Sequence, residues 1–238
     1  MKNLFLLSIV FIIFMSCSVN REYSGMYSAT DDYDTSITQS LFNDKNSTIS
    51  EENIRTILEG KYTLQEKLRV ALVKLESKNY QPQRSYYWNW TSEEYLKTQQ
   101  SYIDLFSQKL YSSQRVINVS VIPDLLISSN PTFTLIRESA VRMQADVVAI
   151  YSITNELYTK YKVFKKDELK AFATIQFIIL DVRTGLIPFS TIVTKDYQSQ
   201  ELKSDFEGET AKNRVKNEAV LLSINEIGGQ LNEFLKTK

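Results

Sequence analysis

The side chains that most often carry enzyme chemistry are scarce here. There is no histidine and a single cysteine, Cys17, in 238 residues. Histidine is the commonest general base, the commonest metal ligand and the usual partner of a nucleophilic Ser or Cys. Its absence leaves carboxylates as the remaining acid–base groups, and a pair of positioned acids is the chemistry of a glycosidase. Spacing alone singles out no such pair among 28 acidic residues. No Gly-x-Gly-x-x-Gly, Walker loop, Gly-x-Ser-x-Gly or Cys/His cluster is present. The acidic run Asp31-Asp32-Tyr33-Asp34 lacks the Gly and distal Glu of an EF-hand calcium loop, so it reads as solvated linker. The chemistry therefore points away from catalysis, and the expectation is a non-enzyme with no cofactor and no metal.

Cys17 takes its meaning from what precedes it. Lys2 supplies a positive charge, and Leu4 to Met15 is an almost unbroken apolar run. That fits the apolar region of a secretory signal, about 7–15 residues, and falls short of the roughly 20 needed to span a bilayer. A buried core helix would carry a polar stripe, and this segment has none. A lone thiol in an exported chain cannot form an intrachain disulfide and needs another role.

The residues Phe14-Met15-Ser16-Cys17 resemble the lipobox of bacterial lipoproteins, with Ser16 a good match and Phe14 and Met15 looser ones. The resemblance implies cleavage before Cys17 and a diacylglycerol thioether on its sulfur, usually with an N-acyl chain. Each buried methylene contributes about 0.8 kcal/mol, so two or three chains anchor stably. Ser18, rather than Asp, follows the cysteine, which by analogy with that family fits an outer-membrane protein facing the periplasm. Residues 1–16 are thus expected to be a signal peptide and 17–36 a lipidated flexible tether, rich in Ser, Asp and Tyr.

Residues 37–238 are expected to be one α/β domain with a short helical prefix. With Lys2 removed, 27 basic residues face 28 acidic ones, a net charge of −1. No basic excess suggests nucleic acid as a partner. Ile54, Ile57 and Leu58 share a helical face in the prefix, which Gly60 ends. Leu68 to Leu75 reads as a strand apolar on both sides, as in a sheet covered twice. Thr91 or Ser92 caps a helix with a stripe of Leu96, Ile103, Phe106 and Leu110. Arg115 to Ile122 is a second strand, with Val116, Asn118 and Ser120 on one face. Pro131 opens a helix lined by Leu135, Ile136, Ala140 and Met143. Val147 to Ile153 and Lys170 to Val182 are further strands, and Asp181 to Gly185 turns the chain into a fifth, Leu186 to Asp196. Pro188 within that strand suggests an edge or a bulge. A last helix from about Glu209 to Leu235 carries a stripe of Val215, Ala219, Leu222, Ile227, Leu231 and Phe234, and Gly228-Gly229 is expected to weaken or bend it. The resulting order, β-α-β-α-β-β-β-α, predicts a mixed sheet of about five strands with helices packed on it.

Three segments together resemble a group of envelope lipoproteins: Leu68-Arg-Val-Ala-Leu-Val, Arg142-Met-Gln-Ala-Asp-Val-Val-Ala-Ile-Tyr-Ser and Ala173 to Gly185. The group includes the curli secretion lipoprotein CsgG, the penicillin-binding-protein activator LpoB and the TolB amino-terminal domain. Rhombotail lipoproteins are similar along most of residues 40–238. The motifs are short and structural, and they carry over no functional residue. The anchor, the tether, the α/β domain and the missing catalytic chemistry fit a non-catalytic envelope interaction or assembly module, whose partner is another envelope protein or the chain itself. Two other readings remain: a curli-type secretion-pore subunit inserting Lys170 to Asp196, and a carboxylate-only enzyme on envelope polysaccharide. The cluster Tyr86, Tyr87, Trp88 and Trp90 is the candidate partner contact, since Tyr and Trp dominate interface hot spots.

Overall fold

All five expected strands are present in the computed structural model, which describes residues 51–60, 62–75, 93–127, 131–162, 166–200, 202, 205 and 208–236. Helix α1 (Glu51–Glu59) precedes β1 (Leu68–Lys74), α2 (Glu93–Tyr111), β2 (Val116–Val121), α3 (Phe133–Arg142), β3 (Val147–Lys160), β4 (Glu168–Asp181), β5 (Phe189–Gln200) and α4 (Gly208–Lys236). The strands form one sheet in the order β2-β1-β3-β4-β5. β1 pairs in parallel with β2 and β3, while β4 runs antiparallel to both β3 and β5. The β1→β2 and β2→β3 crossovers run in opposite directions, so a single hand of crossover places α2 and α3 on opposite faces.

The two faces are buried to different extents. One face packs Val70, Leu72, Ala149, Tyr151, Ala173 and Phe177 beneath α2 and α4. There Phe106 of α2 lies against Tyr151 and Phe177, with ring centroids 4.4 and 5.6 Å away. The other holds a smaller cluster in which α3 covers Ala71, Val73, Val148 and Ile150. Residues of β1 enter both clusters, as a strand apolar on both sides requires.

Several expectations are corrected in detail. β3 continues seven residues past Ile153, because its second half alternates polar Thr154, Glu156 and Tyr158 with Asn155 and Leu157 and pairs fully with β4. β2 does not keep one alternation. An extra residue at Ile117, opposite Leu68/Arg69, flips the phase, so Val116 and Val119 both meet the helix side. Pro131 lies outside α3, whose N-cap is Thr132, with its hydroxyl accepting from the Leu135 amide at 3.2 Å. Pro188 precedes β5, which is nevertheless the edge strand. Leu96 is 63% exposed and Leu222 42% exposed, so neither belongs to its helix's buried stripe. Tyr102, Val220 and Ile224 fill those positions. Ile54, Ile57 and Leu58 of α1 are all exposed as well.

Helix α4 runs unbroken through Gly228-Gly229. A Cβ at Gly228 would fall 2.5 Å from Cδ and 2.7 Å from Cγ of Lys109, so at this glycine the Lys109 stem of α2 lies directly against α4. The hairpin offered for membrane insertion is β4 and the edge strand β5 of this sheet, with Ala171, Ala173, Ile175 and Phe177 of β4 buried in the same cluster as Val215, Ala219 and Ile224 of α4. Among the described residues, no helix is long and apolar enough to cross a membrane.

Candidate interaction surface

Cys17, Tyr86, Tyr87, Trp88 and Trp90 all lie outside the described residues. Two other regions gather polar side chains: the end of the sheet where β1 and β3 begin, and the face of β3, β4 and β5 turned away from α4.

At the sheet end, Asp146 directly precedes β3 and Arg69 lies in neighbouring β1. The Asp146 carboxylate accepts from the Arg69 amide at 3.0 Å and from its Nε and Nη2 at 2.9 Å each. Arg183 Nη2 approaches at 3.5 Å. Hydrogen bonds from Arg69 hold the Asp146 carboxyl well below the usual range, at about 2, against an opposing desolvation effect. Asp181 ends β4 and organises the turn: its Oδ1 accepts from the Arg183 amide, the Thr184 amide and the Thr184 hydroxyl at 2.8–3.0 Å. Gly185 closes the turn at φ +75°, a conformation that disfavours any side chain. Tyr62 donates to Asp181 Oδ2 at 3.1 Å, and its phenol is pushed upward by burial first and by Asp181 second. Arg137 of α3 donates to the Val182 carbonyl through Nη2 at 2.8 Å.

Asp146 is thus held by donors from Arg69 and Arg183, and Asp181 by donors from Arg183, Thr184 and Tyr62. Carboxylate oxygens saturated with hydrogen bonds fix strand ends well. The cluster also lies at the starts of the parallel strands, and ligands in open α/β sheets gather at the carboxyl ends. Its chemistry is that of a lock between β1, β3 and the β4–β5 turn. The motif Asp-x-x-Thr-Gly thereby has the structural role its residue types suggest.

The open face is more accessible. β4 turns Lys170, Phe172, Thr174 and Gln176 to it, opposite Gln198, Asp196, Thr194 and Ile192 of β5. Cross-strand contacts tie these together: Lys170 Nζ to Asp196 at 3.0 Å, Thr174 to Thr194 at 2.9 Å between hydroxyl oxygens, and Lys170 over the Phe172 ring at 4.7 Å. Tyr158 meets Phe172 edge-on at 5.7 Å and is 57% exposed, and Ile192 is 70% exposed. The edge strand β5 adjoins this face. Lys195 pairs with Glu226 of α4 at 3.1 Å, and this bond is the main cause of the lowered Glu226 carboxyl. Two buried side-chain oxygens, Oδ1 of Asn155 and Oδ1 of Asn217, accept no hydrogen bond among the described residues. No group of three or more Asp, Glu or Cys side chains comes together among them to hold a metal.

Sequence reasoning missed this surface because it depends on the second half of β3, which lacks a continuous apolar run. The period-two alternation of Thr154, Glu156 and Tyr158 was the available signal.

No protein-family model matches the chain, and no curated protein matches it. Among solved structures, the hypothetical protein CT253 from Chlamydia trachomatis shares 14% identity over 72% of this chain and 99% of its own, at a TM-score of 0.39. A minor lipoprotein from Acinetobacter baumannii shares 9% over 69% and 92%, at 0.37. Lipoprotein GNA1162 from Neisseria meningitidis shares 14% over 49% and 76%, at 0.25. Two of these three neighbours are named as bacterial lipoproteins. At TM-scores below 0.5 the likenesses carry no argument about what this chain does.

Proposed function

We propose that this chain is a lipid-anchored protein of the bacterial envelope, held to the outer membrane through Cys17 and facing the periplasm, and that it acts as a non-catalytic interaction or assembly module. One observation carries the reading: the chain's sole cysteine directly follows a charged, then apolar, then small-residue segment of signal-peptide form. The short motifs shared with the rhombotail and curli-secretion group support it. So does the sheet, which offers a rigid, polar and partly aromatic face to a partner while its acids at the other region serve the fold.

Metabolic labelling with palmitate, beside a Cys17→Ser control, tests the anchor. The native chain takes up label and sediments with membranes, and Cys17→Ser loses both. Equal fractionation of the two, with no label in either, overturns the anchor. Crosslinking capture from intact envelopes tests the module: Trp88→Ala with Trp90→Ala should lower capture of a partner, and unchanged capture removes those residues from the contact.

A further inference from the structure

We infer that β5 is a dimerisation edge, taking the β5 of a second copy antiparallel about a twofold axis through Thr194. This deepens the assembly reading above by naming the partner. The sheet has two outer edges, and they are unlike. β2 spans Val116–Val121 and is bulged at Ile117, two of the devices that stop an edge from pairing further. β5 runs from Phe189 to Gln200 without a bulge, its proline lies ahead of it, and its only charges are Lys195 and Asp196. No described residue pairs with its outer side. The group that matches a row of free amides and carbonyls is another strand.

Charge excludes two registers and leaves that through Thr194 open. An axis normal to the sheet keeps helices on one side and sets residues of equal parity opposite each other. Through Lys195 or Asp196, that charge would face itself, which is unfavourable. Through Thr194, Lys195 faces Val193 and Asp196 faces Ile192, so no like charges are opposed and the exposed Ile192 is covered. Lys195 and Asp196 arrive already paired, with Glu226 and Lys170.

The helix above β5 gives an independent observation. α4 sits over the β4–β5 seam: Ser223 donates to the Ala173 carbonyl of β4 at 3.0 Å, and Gln230 meets Thr191 of β5 at 2.6 Å. With strands about 4.8 Å apart, the twofold places the two α4 helices roughly 10 Å apart, the spacing of packed helices. Leu222 and Gly229 lie four residues before and three after Glu226, on the flank that reaches β5. Leu222 is an exposed leucine, and a Cβ at Gly229 would meet nothing within 4 Å. An axis passing beside Thr194, and so beside Lys195–Glu226, brings Leu222 of each copy to the gap at Gly229 of the other.

The test uses the full chain in a Cys17→Ser background, so that Thr194→Cys is its only thiol. Oxidation should seal a covalent dimer through Thr194→Cys and not through Asn118→Cys on β2. The chain without added cysteine should sediment as a dimer, and Leu222→Lys should weaken that dimer at least tenfold. A monomer at every concentration, or sealing through Asn118→Cys instead, overturns the inference. So does a monomeric chain whose β5 crosslinks to a different envelope protein, an outcome under which the interaction-module reading itself still stands. Palmitate labelling of the native chain decides the anchor separately.

Discussion

Replacing Asp146 by Asn should unlock the sheet end, and the effect should depend on pH in a defined direction. The native carboxyl titrates at about 2, against an ordinary value of 3.8. A shift of that size corresponds to roughly 2 kcal/mol, and the partly exposed Arg69 partner trims it to about 1–2 kcal/mol. The folded-state value is the lower one, so the folded chain binds the proton less readily than the unfolded chain. The stabilisation is therefore present in full above about pH 4 and is lost as pH falls towards 2. Asp146→Asn should be less stable than the native chain by about 1–2 kcal/mol at pH 7, a fall of roughly 2–8 °C in Tm for a domain of this size. Urea unfolding of both chains at pH 7, 4 and 2.5 reads the difference directly, and other carboxylates cancel in the comparison. The gap should shrink as the pH drops. A gap that is absent at pH 7, or one that stays constant down to pH 2.5, refutes the ionised lock.

Other perturbations test the packing. Phe106→Ala removes a fully buried ring that touches Tyr151 and Phe177, and should cost about 3–5 kcal/mol by urea unfolding. The two adjacent glycines of α4 should respond differently to alanine. In the dilute monomer Gly229→Ala gains helix propensity in open space and should stabilise by roughly 0.5–1 kcal/mol, whereas at Gly228 the Lys109 stem must be displaced and the gain should vanish or reverse. Gly185→Ala forces a side chain to φ +75° with its Cβ 3.3 Å from the Phe133 ring, and should lower stability by about 1–2 kcal/mol in the same assay.

The sequence by itself determined the element order and the strand partners of the β4–β5 hairpin, because each strand's alternation is local and Asp181 to Gly185 carries its own turn chemistry. The expected signal segment and the anchor at Cys17 rest on the sequence alone, where charge, apolar run, small residue and cysteine follow one another within 17 residues. The buried stripes of α2 and α4 were half legible. Phe106, Leu110, Val215 and Leu231 stood out by spacing, but which flank of each stripe faces the sheet depends on where the neighbouring helix lies, and this exposed Leu96 and Leu222 while burying Tyr102 and Ile224. Only tertiary structure decided the rest. The phase of β2 turned on a bulge facing β1. The length of β3 was set by its pairing with β4 rather than by its own apolarity. The unbroken course of α4 through two glycines reflects packing across Lys109 that offsets their poor helix propensity. The Arg69–Asp146 lock joins residues 77 apart in the chain, and such long-range electrostatic pairs leave no periodic trace in a sequence because neither partner's neighbours constrain the other.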